Sequence, residues 1–296
     1  MATLARLFDD FLRERTYIQN VSPKTLAWYS QAWRAFLLSQ PPSLTSPSGA
    51  PSLSRADLEH FVRHLRQRGV RPVTCNCWLR ALHAFCQWSH ETGHTPNRVR
   101  IALQRVDRPV LRPFSDIELR QLLRFRPVSL AEWRVHTLAS TLLDTGCRMQ
   151  EVLSAPVQAF ELDHLLLTVQ GKGRKERRVP FSHHLRKLLV QWQHRHRQAW
   201  PPSPFMFPAR SGTMWHYRNA RRSYYAMLRR VGLPRHGFHH LRHTFATHYL
   251  RAGGDIVRLS LILGHTEVST TMRYLHLLTE DLQRPHEGLS ILTRLR

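Results

Sequence analysis

A single stretch of this chain carries β patterning. Between residues 157 and 181, HLLLTVQ and ERRVPF are short β-rich runs joined by GKGRK, which reads as a hairpin with a glycine-rich tip. On either side the chain returns to apolar residues at helical spacing, broken by proline and glycine punctuation. The pattern predicts a mainly α fold with a small β-sheet. A length of 296 residues suits one large domain or two of ordinary size, and either can bury a proper core.

The punctuation divides the chain in two. Residues 3–15 place Leu4, Leu7, Phe8, Phe11 and Leu12 at helical spacing, and Ser22-Pro23 offers an N-cap and first-turn proline for a helix to about Leu38. The Pro/Ser-rich run PPSLTSPSGAPSLS (41–54) reads as a loop, and Ser54 with Asp57 starts a helix that Gly69 stops. A fourth helix runs from about Val73 to Glu91. Residues 1–102 are therefore expected to form a helical N-terminal domain, 103–114 (with prolines at 109 and 113) a linker, and 115–296 a second domain. Ser115 and Glu118, at capping-box spacing, open that second domain.

Charge narrows the class of partner. The chain has 44 Lys+Arg against 20 Asp+Glu, a formal net charge of +24, which points to a polyanion and above all to nucleic acid. Only Lys24, Lys172, Lys175 and Lys187 are lysines, and two of these four lie in GKGRKERR. Lysine can release a proton near neutral pH when its pKa is lowered and arginine cannot, so the pair hints at proton chemistry. Hydrophobic content of 42% excludes wholesale disorder, and no apolar run approaches the roughly 18 residues of a membrane span. The N-terminus lacks the features of a signal peptide. Four cysteines form no disulfide framework, so a reducing cytoplasm is the expected location.

The densest functional signal is GFHHLRHTFATHYL (237–250). On a helix, Phe238, Leu241, Phe245 and Tyr249 form one core-facing stripe, with His239 and Arg242 together on its flank, a suitable clamp for a single phosphate. His239 and His243 have metal-ligand spacing, but no Glu lies between them and an arginine adjoins them. Upstream, TGCRMQEVL sets Arg148 just after the helix-ending Gly146, with Glu151 three residues on. Downstream, LGHTEVSTTMRYLH carries His265 after a Leu-Gly turn and Tyr274 nine residues later.

In this order, these motifs resemble the tyrosine recombinase (phage integrase) family: an Arg in TGxRxxE, a Lys on a β-hairpin, HxLR on a helix, LGH and a C-terminal Tyr. They fall on Arg148, Lys172, His239–Arg242, His265 and Tyr274, across residues 145–275. The resemblance implies a two-domain enzyme, with a helical N-terminal core-binding domain and a mixed α/β catalytic domain, closest in layout to Xer-like or transposon-encoded members. It implies site-specific recombination of double-stranded DNA with Tyr274 as nucleophile, a 3′-phosphotyrosyl intermediate and two duplexes exchanged through a Holliday junction. Arg148 and Arg242 would neutralise charge on the phosphate, His265 would donate a further hydrogen bond, His239 would act as base and Lys172 as general acid. Local spacing alone leaves His243 beside His239, and Lys175 beside Lys172. No metal, ATP or other cofactor is expected. The partners implied are a specific DNA site and a tetramer whose C-terminal tails are exchanged between protomers, with no membrane.

Overall fold

A computed structural model of the chain describes residues 3–45, 53–106, 112–171, 175–265, 267–272 and 274. It divides into two compact units, residues 1–109 and 110–296. Among the described residues no helix is long and apolar enough to cross a membrane.

The first unit is helical: α1 (Leu4–Tyr17), α2 (Pro23–Leu38), a single turn α3 (Pro42–Thr45), α4 (Arg55–Gln67) and α5 (Pro72–Glu91). Its core is rich in aromatic rings. Phe8 stacks on Trp33 at 4.3 Å between centroids, and Phe85 meets Phe8, Phe11 and Trp33 edge-on, packing that adds to simple area burial. Asp57 ties down the segment read as a loop: its carboxylate accepts the backbone N–H of Ser43 at 2.9 Å and of Ser54 at 2.8 Å. The turn α3 inside that segment is too short for sequence periodicity to reveal. Residues at the expected linker's edges belong to the bodies they border. The Asn76 side chain bonds both backbone groups of Gln104, and Phe114 is fully buried in the second unit's core.

The second unit has α6 (Asp116–Leu123), α7 (Leu130–Thr145), α8 (Met149–Ser154), the antiparallel strands β1 (Phe160–Glu161), β2 (Leu166–Gln170) and β3 (Glu176–Pro180), then α9 (His183–Gln191), α10 (Tyr217–Arg230), α11 (Phe238–Arg251), α12 (Ile256–Leu263) and the turn α13 (Ser269–Met272). The sheet order is β1-β2-β3, with Thr168 opposite Arg178 in the hairpin. Strand β1 extends the expected hairpin to three strands, pairing Phe160 with Leu167. Helix α7 is buried along most of its length and packs on α9, α10 and α11, which is why apolar and Thr residues dominate it and even Arg134 and His136 are buried. Two left-handed glycines end helices beside one another: Gly146 (φ +63°) after α7 and Gly264 (φ +65°) after α12. These ends position the site.

Candidate active site

Gly146 stops α7 so tightly that α8 begins three residues later, with Arg148 as its N-cap. A Cβ on Gly146 would lie 2.3 Å from the Phe245 ring, so the turn needs both the left-handed backbone and the missing side chain. The N–H of Arg148 donates to Glu151 Oε2 at 2.7 Å, and its Nη1 donates to Oε1 at 3.0 Å. The Arg148 side chain keeps 39% of its surface exposed and can reach an anion.

Arg242 behaves differently. It lies on α11 but is only 2% exposed, because most of α11 is covered by its neighbours; Phe245 and Tyr249 are half-buried and Arg242 is not on an open flank. Its burial is tolerable because carbonyls satisfy the guanidinium. Nη1 donates to the Gly146 carbonyl at 2.9 Å, and Nη2 donates to the Leu263 carbonyl at 2.8 Å. Nη2 also lies 2.9 Å from His265 Nε2. Burial, aided by the nearby Arg148 charge, lowers the Arg242 pKa to about 10, which still leaves it protonated at neutral pH.

His265 is fixed from its other side by Thr271, whose hydroxyl is 2.7 Å from Nδ1. Thr271 in turn accepts the Tyr274 N–H at its carbonyl, 3.0 Å away. The Tyr274 side chain is buried, its ring 5.5 Å from that of His243, and its phenol bears electrostatically on Arg242. His243 is in turn met edge-on by the exposed His239 ring at 4.9 Å. The structure thus gathers Arg148, Arg242, His265 and Tyr274 around the ends of α7 and α12, with His239 at the rim beyond His243. Lys172 lies outside the described residues, as does the chain after Tyr274.

Sequence reasoning did not single out Arg177 on β3. Its Nη1 and Nη2 donate to the two oxygens of Glu151 at 2.9 and 2.8 Å, and its Nε donates to the Ile262 carbonyl at 2.8 Å. Burial would raise the Glu151 pKa, but the hydrogen bonds and charge of Arg177, with those of Arg148, outweigh it and hold the carboxyl below its usual range. Two guanidinium groups therefore bond one carboxylate, Arg242 adds a third positive charge that Glu151 feels only electrostatically, and the last carbonyls of α12 carry the rest of the hydrogen bonding. Such an excess of fixed positive charge in a partly water-excluded place suits a phosphate gaining negative charge. Among the described residues no group of His, Cys, Asp and Glu could hold a metal ion.

Known proteins are similar to this chain. Residues 114–281 match the phage integrase family. Tyrosine recombinase XerD of Brucella suis biovar 1 (strain 1330) is 38% identical over 157 residues, 51% of this chain and 50% of that protein. The chain thus spans about half the length of that relative. Tyrosine recombinase XerC of Xanthomonas campestris pv. campestris (strain B100) is 27% identical over 296 residues, 97% of this chain and 88% of that one. The solved structure of the Tn1549 transposon integrase in complex with transposon right end DNA superposes with a TM-score of 0.78 at 18% identity. That match covers 98% of this chain and 99% of the other, and the likeness is one of fold. With its second unit matched along most of its length, this chain belongs to the phage integrase family.

Proposed function

We propose that the protein is a site-specific DNA recombinase that cuts and rejoins strands through a covalent bond to Tyr274, using neither metal nor ATP. The observation that carries this reading is the shared anchorage of Arg148, Arg242 and His265 on the C-terminal end of α12, with Tyr274 buried alongside. In the reaction the Tyr274 oxygen attacks a phosphodiester phosphorus and the bond to the 5′-oxygen breaks. A 3′-phosphotyrosyl link forms and a 5′-hydroxyl leaves. Arg148 and Arg242 balance the charge that builds on the non-bridging oxygens. Lys172 gives the leaving oxygen its proton. A phenol of pKa near 10 is a poor nucleophile at neutral pH, so a base is needed, and His239 takes that role. The contact between the His243 and Tyr274 rings favours a second assignment, with His243 as the acceptor. Because the covalent link conserves the energy of the cut bond, a 5′-hydroxyl from a partner strand can reverse the step without an energy source.

Strand exchange between two duplexes through a Holliday junction would require a tetramer, with the chain after Tyr274 exchanged between protomers. The helical first unit would grip the DNA core site, and the net charge of +24 supports the grip on phosphates. Trapping covalent adducts under denaturing conditions from cells expressing wild type or Tyr274→Phe, then sequencing the attached DNA, tests the function. Adducts at one sequence with wild type only are expected. Adducts scattered without preference would replace site-specific recombination with supercoil relaxation.

A further inference from the structure

We propose that Arg177 is a positioning residue for the anion pocket, acting by neutralising Glu151 so that Arg148 keeps its charge for the substrate. The inference rests on the recombinase reading for the identity of that substrate.

Glu151 accepts four hydrogen bonds, filling both oxygens: two from Arg148 and two from Arg177. It is 7% exposed, so its charge is shielded from water and must be met within the protein. The Arg177 fork takes the bidentate geometry that best matches a carboxylate, whereas Arg148 gives only one guanidinium nitrogen. Were Arg177 absent, Glu151 would pair with Arg148 alone and draw its charge away from an incoming phosphate. Arg177 has no such opening itself: it is 13% exposed, and its Nε, Nη1 and Nη2 all have acceptors.

The same guanidinium fixes the turn that bears His265. Its Nε holds the Ile262 carbonyl, and a Cβ on Gly264 would lie 2.9 Å from its Cζ. The glycine of the Leu-Gly-His turn is thus needed as much for the seat of Arg177 as for its positive φ. One side chain from the sheet holds the Arg148 buttress and the His265 turn in a single frame.

The test compares wild type, Arg177→Ala, Arg177→Lys and the double variant Arg177→Ala/Glu151→Gln. Rates of covalent adduct formation would be read at saturating nicked duplex. Affinity for inorganic phosphate would be followed by the Arg148 side-chain NMR signal. Arg177→Ala is expected to slow adduct formation by about 10²-fold, the scale for a misplaced reacting group. Phosphate affinity should fall about tenfold, on the scale of a lost charge-assisted contact. Lysine should recover little, lacking the fork. Removing the Glu151 charge as well should restore most of the phosphate affinity, which a purely structural defect would not allow. Unchanged affinity in Arg177→Ala, or a double variant weaker than the single, would overturn the proposal. If wild type forms no adduct while the phosphate series behaves as expected, the recombinase reading falls and the role of Arg177 stands.

Discussion

Arg242 Nη2 lies 2.9 Å from His265 Nε2, while the opposite ring nitrogen of His265 lies 2.7 Å from the Thr271 hydroxyl. A guanidinium can only donate, so Nε2 accepts and Nδ1 carries the proton. His265 is therefore a neutral imidazole that orients Arg242. To donate to a phosphate, Nε2 must first release Arg242 and gain a proton, by a switch of tautomer or by protonation of the ring. Thr271→Val removes the acceptor that, together with the Arg242 donor, fixes this tautomer. The ¹⁵N spectrum of His265 should show a Nδ1–H ring in wild type and a tautomer mixture in the variant. The variant should form adducts about fivefold more slowly, the equivalent of roughly 1 kcal/mol. An unchanged spectrum would remove Thr271 from this role.

Arg242→Ala should reduce adduct formation by about 10²–10³, the scale for loss of one charge-stabilising donor. It should also destabilise the fold by about 1–3 kcal/mol, because the carbonyls of Gly146 and Leu263 lose a buried donor. Arg148→Ala should match the catalytic loss with a smaller loss of stability, since its side chain is partly exposed. Chemical denaturation beside adduct kinetics separates the two.

Two of the helix-ending glycines of the second unit, Gly146 and Gly232, make different demands. Gly146→Ala would place a Cβ 2.3 Å from the Phe245 ring at φ +63°, combining overpacking with left-handed strain. A loss of about 2–4 kcal/mol is expected from those two effects. Gly232→Ala, at φ +75° but with nothing within 4 Å, should lose only about 1–2 kcal/mol. Equal melting temperatures for the two variants would contradict the close approach of Phe245.

Two buried histidines should make the fold acid-sensitive. Burial, assisted by the charge of Arg126, lowers the His136 pKa to about 4, and burial with His236 does the same for His240. The unfolded chain binds these protons near pH 6.5 and the folded chain does not, so stability falls as pH drops from about 6.5 toward 4. Each contributes up to about 1.4 kcal/mol per pH unit in that window. His136→Phe should flatten the dependence of melting temperature on pH between 4 and 6.5; an unaltered slope would show that His136 is charged in the fold.

Much of this arrangement was legible in the sequence because it is encoded locally. Ser54/Asp57 and Ser115/Glu118 mark helix starts by capping-box spacing, and both boxes form. The two runs flanking GKGRK pair as β2 and β3. The glycines after α7 and α12 announce the turns that carry Arg148 and His265. What stayed hidden depends on contacts between distant segments. Arg177 looks like one more surface arginine in GKGRKERR until Glu151, 26 residues earlier, is folded against it. The burial of Arg242 follows from carbonyls at Gly146 and Leu263, which no periodicity displays. His243 reads as a spacing coincidence until Tyr274 is laid against its ring.

The role of Tyr274 is tested most directly by trapping the protein on a nicked duplex carrying its site, digesting both components, and identifying the modified peptide by mass spectrometry. The expected product is a nucleotide joined through its 3′-phosphate to the peptide containing Tyr274, absent from Tyr274→Phe, while that variant binds the same duplex within a few-fold of wild type. A nucleotide attached at any other residue, or an adduct that persists in Tyr274→Phe, would contradict it.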